Sequence, residues 1–215
     1  MLFRSTAEQW AELSQHMRWQ ALRMNLNMLA RKGAFDVDGV TESVARRLSD
    51  ADALNAVRPM PYQLMVALGQ VSDAVPLKVQ AALEEALELS LRGVPKLDGR
   101  IVVCPDVSGS MSMPVTGYRK GASSKVRCID VAALVAAAML RRNRDTVVMP
   151  FEQQVVSLKL KAQDRVAVNA AKLAAIGGGG TNVSAPLAKL NAHRAKVDLV
   201  VIVSDNESWV DATRR

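Results

Sequence analysis

The stretch Arg100-Ile101-Val102-Val103-Cys104-Pro105-Asp106-Val107-Ser108-Gly109-Ser110-Met111 organises the reading of the whole chain. Its first half is a short apolar run rich in β-branched residues. Such a run, without polar alternation, is the pattern of a strand buried on both faces of a parallel sheet. Its second half carries a carboxylate and two hydroxyls at alternate positions, and Gly109 lets the loop wrap closely. A buried strand therefore delivers hard oxygen atoms to one end of a sheet.

Toward the C-terminus, a polar loop rich in Gly, Ser, Lys and Arg leads into an Ala-rich helix expected at Cys128–Arg141. Strands are expected at Thr146–Pro150 and near Gln154–Leu158, and helices at roughly Gln163–Ala175 and Pro186–His193. Asp198–Ser204 reads as a further apolar strand ending at Asp205. Strands alternating with helices predict an α/β fold with a doubly wound, mostly parallel, Rossmann-like sheet covered on both faces.

Toward the N-terminus the texture changes near Pro95–Gly99, so the expected domains are an α-helical segment at 1–95 and the α/β domain at 96–215. Ser5 offers a helix cap with Glu8 completing a capping box, and Trp10, Leu13 and Met17 follow at helical spacing. Leu22, Leu26, Leu29 and Ala30 form a second amphipathic run, continuous with the first or jointed to it. Val40–Val57 reads as a helix with Thr41 as its cap, and Tyr62–Val71 as another. Pro76 starts a last helix, Leu77–Leu91, with Val79, Leu83, Leu87 and Leu91 on one face. Four or five short helices with brief connections suggest a helical-repeat stack, HEAT-like in kind.

The chain's 215 residues suffice for two modest domains. Apolar residues at 49% and charged residues at 23% exclude a disordered chain. A net charge of +7 and a pI near 9.7 favour polyanionic partners, nucleic acid first. Cys104 and Cys128 fit neither a metal finger nor a disulfide framework, so a reducing, cytoplasmic setting is expected. No secretory signal is evident. The apolar stretches at Val131–Leu140 and Leu199–Val203 are too short for a membrane span.

Asp106, Ser108 and Ser110, then Thr181 behind Gly177–Gly180, then Asp205, each follow or adjoin an expected strand end. In a doubly wound sheet such loops converge over one crevice. Carboxylate and hydroxyl oxygens without Cys or His suit Mg²⁺, Mn²⁺ or Ca²⁺, with Mg²⁺ the leading candidate, rather than zinc. These five residues in this order resemble the metal-ion-dependent adhesion site (MIDAS) of von Willebrand A domains. The resemblance implies that the hydroxyls and carboxylates hold a divalent cation, directly or through water, with one position open for an acidic ligand from a partner protein.

The segment Met17–Leu29 and the lead-in from Leu83 to Arg100 resemble the Ro autoantigen (TROVE) family, in which helical repeats precede an A domain. That resemblance covers nearly the whole chain. It implies a non-catalytic protein that binds small non-coding Y-like RNA or misfolded RNA. The family's ring needs more helices than 1–95 supplies, and the A domain is expected to be incomplete after Asp205. The missing parts would be lost or supplied by self-assembly or another chain.

Basic residues that could meet RNA phosphates are Arg18, Arg23, Arg31 and Lys32, with Arg46 and Arg47, and the loop residues Arg119, Lys120, Lys125 and Arg127. Each also fits a solvated surface. Trp10 and Trp19 could stack bases, although their helical setting favours core packing. His16 and His193 have no nucleophile or metal partner at a convincing spacing. Ser108-Gly109-Ser110 is not a nucleophile elbow, and catalysis is not expected. The other function compatible with these residues is a metal-dependent protein-interaction module that binds no RNA.

Overall fold

The chain divides into two units, Met1–Gly93 and Val94–Arg215, and the computed structural model describes residues 5–117 and 126–206. Unit 1 contains α1 (Ala7–His16), α2 (Trp19–Met24), α3 (Leu26–Arg31), α4 (Val40–Leu48), α5 (Ala51–Val57), α6 (Pro61–Gln70) and α7 (Leu77–Ser90). Helix α7 packs against α4, α5 and α6 and buries Val79, Leu83 and Leu87. Leu22, Leu29, Leu48 and Leu64 complete the interior. Trp19 is 7% exposed, and its indole N–H donates to the Leu48 carbonyl. A half-polar aromatic is thus accommodated without an orphaned donor.

Several boundaries differ from expectation, each through a side chain that competes for backbone. Helix α1 is capped by Thr6 rather than Ser5: the Thr6 hydroxyl accepts from Gln9 N–H, and the Gln9 side chain accepts from Thr6 N–H. Ser5 instead accepts from the Trp10 indole. The buried face of α1 is Ala11 and Ser14, while Leu13 is 47% exposed. The helix expected over Val40–Val57 is two, because the Asp50 carboxylate accepts from Ala53 N–H and starts α5 afresh. Thr41 lies inside α4, and Gly39, in the left-handed region, occupies the cap.

In unit 2, β1 (Ile101–Pro105) lies between β2 (Thr146–Val148) and β3 (Leu199–Val203) and runs parallel to both. Ile101 is in register with Thr146 on one side and Leu199 on the other. All five residues of β1 are buried, as a central strand requires. Helix α8 (Cys128–Arg142) packs on β1 and on α9 (Val166–Ala174). Its buried Ala132, Ala133, Ala136 and Ala137 are small enough to let neighbouring backbone approach closely. On the other face, Val102, Cys104 and Phe151 pack with Leu190 of α10 (Ala185–Ala192). Helices on both faces of a parallel sheet make unit 2 a doubly wound α/β fold.

The strand expected near Gln154–Leu158 does not form. Val156 N–H donates to the Pro150 carbonyl and Val155 bridges Phe151, so the chain doubles back at Glu152–Gln154. Val156 then joins the apolar cluster of Val107, Met111 and Ile129. β2 ends at Val148, although Met149 N–H and Phe151 N–H still donate to the carbonyls of Val103 and Pro105. No described helix is long and apolar enough to cross a membrane.

Candidate metal centre

The loop after β1 is pinned to both neighbouring strands. Asp106 N–H donates to Val203 O and Val107 N–H to Phe151 O, each at 2.9 Å. The Asp106 carboxylate then folds the loop: Oδ1 accepts from Ser108 N–H at 2.9 Å, and Oδ2 accepts from the Ser204 hydroxyl at 2.7 Å. The Thr181 hydroxyl donates to Ser108 Oγ at 2.8 Å, and Ser108 Oγ lies 3.2 Å from Ser110 Oγ. Asp106, Ser108 and Thr181 are buried, whereas Ser110 and Asp205 are half-buried.

Thr181 reaches this place through the glycine run. Gly109 N–H donates to Gly179 O at 3.1 Å, and Ser108 bridges Gly178. Gly178 and Gly179 have φ of 147° and 50°, a region that a residue with a Cβ adopts only with strain. A Cβ on Gly179 would also overlap the Glu152 carboxylate. Asn182 N–H donates to Glu152 O and Asn182 Nδ2 to Gln153 O, which ties the Thr181 loop to the chain beyond β2.

Asp205 follows β3 directly, beside Ser204. Its charge is felt at the start of α8: burial first, then the Asp205 carboxylate, pushes the Cys128 thiol pKa up. The sheet thus brings Asp106, Ser108, Ser110 and Thr181 into one connected cluster and sets Asp205 at the same edge. Ser204 and Glu152 were not anticipated. Ser204 had a signal, a hydroxyl immediately before Asp205; Glu152 had none, because only the reversal of the chain after Phe151 carries it to Gly179.

The donor set can be tested against a cation. Magnesium held octahedrally at 2.0–2.1 Å separates adjacent ligands by about 2.9 Å. The hydroxyls, hydrogen-bonded to one another at 2.8 and 3.2 Å, are close enough together to share one ion of that size. All donors are hard oxygens, and among the described residues no group of three or more His, Cys, Asp or Glu forms a different metal centre. The residues present fit a small divalent cation.

The basic candidates part ways. Arg23 is half-buried, with Nη1 donating to Gln63 O and Nε to Gln20, and burial lowers its pKa. It ties α2 to α6 through these bonds. Arg127 is bound to Asp130 through Nε and Nη2 and caps α8, so its guanidinium is already engaged. Arg47 donates to the Ser14 and Met17 carbonyls at the end of α1. Arg18, Arg31 and Lys32 are exposed, Lys32 lying 5.9 Å from the Trp10 ring centroid. Arg119, Lys120 and Lys125 lie outside the described residues.

A helical unit, followed by a parallel α/β unit whose carboxyl edge gathers Asp-x-Ser-x-Ser, Thr and Asp, defines a von Willebrand A-type protein with a helical N-terminal part. Residues 100–214 match the Ro60 vWA domain family, and the chain belongs to that family. It is 29% identical over 200 residues to the RNA-binding protein RO60 of Deinococcus radiodurans, an alignment covering 87% of this chain and 37% of that protein. The crystal structure of the Deinococcus radiodurans RO (RSR) protein superposes with a TM-score of 0.72 at 25% identity, covering 97% of this chain and 44% of the other. The chain thus spans less than half the length of these relatives.

Proposed function

We propose that this chain is a non-catalytic RNA-binding protein of Ro type that binds small non-coding or misfolded RNA. The observation that carries the proposal is the similarity over 87% of the chain to a protein named for RNA binding. The net charge of +7 supports it, because phosphate neutralisation supplies most non-specific affinity for nucleic acid. The test is binding of the purified chain to a structured small RNA across a salt series. Affinity should fall steeply with salt, and binding no tighter than that of an equally basic unrelated protein would reject the proposal.

In the same reading Asp106, Ser108, Ser110, Thr181 and Asp205 hold Mg²⁺, with Ser204 orienting the Asp106 carboxylate. Bound there, the ion would supply an open coordination position for a partner's carboxylate. Calorimetric titration with Mg²⁺ or Mn²⁺ should show one site that Asp106→Ala abolishes. Equal uptake by wild type and variant would remove these residues from the metal site. The second reading is a protein-interaction role without RNA: Ser110 and Asp205 are half-buried rather than buried, which leaves them within reach of a partner's carboxylate. Chelator-sensitive partner capture with no RNA affinity would establish it instead.

A further inference from the structure

The chain's net positive charge comes from one of its two units. Unit 1 carries ten Lys and Arg against eleven Asp and Glu, a net of −1, and unit 2 carries eighteen against ten, a net of +8. Within unit 2 the sheet sorts the charges further. The described carboxyl edge holds Asp106, Glu152 and Asp205, and its Arg127 is paired with Asp130. The amino edge, where the three strands begin and where α8 and α10 end, holds Lys96, Arg100, Arg142, Arg144, Arg194 and Lys196, against Asp98, Asp145 and Asp198.

These amino-edge residues belong to one tied surface. Ile101 N–H donates to Asp145 O, Arg100 N–H to the Asp198 carboxylate, and Arg100 Nη1 to Lys196 O. Leu97 N–H donates to the Asn143 side chain, which ties the segment carrying Lys96 to the one carrying Arg144. Arg142 Nε donates to Val94 O, so that residue is spent on the fold. Lys96, Arg144, Arg194 and Lys196 are exposed, and among the described residues their side chains make no hydrogen bond or ion pair. The loops 94–100, 141–146 and 193–199 contain no Phe, Trp or Tyr. Protein interfaces are enriched in aromatics, and sequence-tolerant single-strand sites stack bases on them. Unpaired cations on a rigid edge without aromatics suit the phosphate backbone of a folded RNA.

We infer that the amino edge of the unit 2 sheet, opposite the metal-site residues, contacts RNA phosphates through Lys96, Arg144, Arg194 and Lys196. The inference rests on the RNA-binding reading above but locates the contact in the A-type unit rather than on the helices. The experiment measures fluorescence anisotropy of a labelled small hairpin RNA with the full chain, from 50 to 300 mM salt. Lys96→Gln, Arg144→Gln and Lys196→Gln combined should weaken binding about tenfold and reduce the log–log salt slope by about 2. Arg58→Gln, Lys78→Gln and Arg92→Gln combined remove the same charge from unit 1 and should change affinity less than threefold. The charge-retaining set Lys96→Arg, Arg144→Lys and Lys196→Arg should bind as wild type, which separates contact from misfolding.

Wild-type binding with an unaffected amino-edge variant would overturn this inference and leave the Ro-type reading standing. Equal losses in the two glutamine variants would also overturn it, because charge alone would then explain binding. Tighter binding to phosphatidylserine vesicles than to the hairpin would overturn it in favour of a membrane surface. No RNA binding by wild type would instead reject the parent reading.

Discussion

Gly179 has φ of +50° with the Glu152 carboxylate lying against its Cα, so the loop that presents Thr181 depends on a residue without a side chain. Gly179→Ala should cost roughly 1–3 kcal/mol of stability from backbone strain. It should also weaken Mg²⁺ uptake, because Gly179 O holds Gly109 and with it the Ser108–Ser110 turn; unchanged melting and uptake would show that the loop adapts. Cys104 and Cys128 give a second residue-scale check. Burial pushes the Cys104 thiol up to about 11, so at pH 8 it stays protonated and reacts with maleimide only on unfolding. Cys128 is held up partly by Asp205. Removing that negative charge eases thiolate formation, so Asp205→Asn should speed Cys128 labelling in the absence of metal. An unchanged rate would place Asp205 too far from α8 to serve as described.

Between elements, the helix joints of unit 1 rest on single polar side chains. Arg47 reaches from α4 to two carbonyls at the end of α1, groups that the helix cannot satisfy itself. Arg47→Ala should cost about 2–3 kcal/mol, since charge-assisted bonds are lost and partly buried acceptors are left bare. Asp50→Ala removes the cap that divides α5 from α4 and should cost about 1 kcal/mol. Both are read from thermal or urea unfolding, and equal small effects would show that Arg47 is only a surface contact. These joints explain why the Val40–Val57 periodicity misled: apolar spacing continues across Ser49 and Asp50, while the Asp50 carboxylate competes locally for Ala53 N–H. The expected strand at Gln154–Leu158 failed for a related reason. Val155 and Val156 are apolar and β-branched, but Val156 N–H donates to the Pro150 carbonyl and, among the described residues, no strand lies alongside.

For the molecule as a whole, burial across the unit 2 sheet is uneven. β1 is covered on both faces, while β3 exposes Leu199 at 39% and Ile202 at 36%. Ile202→Lys in this chain should therefore change stability by less than about 1 kcal/mol. Val103→Lys, which buries an unpaired charge in the central strand, should abolish folding of unit 2. Comparable losses from the two substitutions, measured by urea unfolding, would contradict this distribution of the core. The sequence by itself determined the class of the fold and the oxygen donors that it delivers to one sheet edge. A short, β-branched, all-apolar run is the pattern of a strand covered on both faces, and Asp106-x-Ser108-x-Ser110, Thr181 and Asp205 are hard oxygen donors wherever they lie. Tertiary structure alone decided which donors touch, that Ser204 and Glu152 stand among them, and which arginines are already engaged. It also left Lys96, Arg144, Arg194 and Lys196 exposed at the amino edge of one sheet. Those outcomes depend on contacts between residues far apart in sequence, and no local pattern encodes which strand end meets which loop.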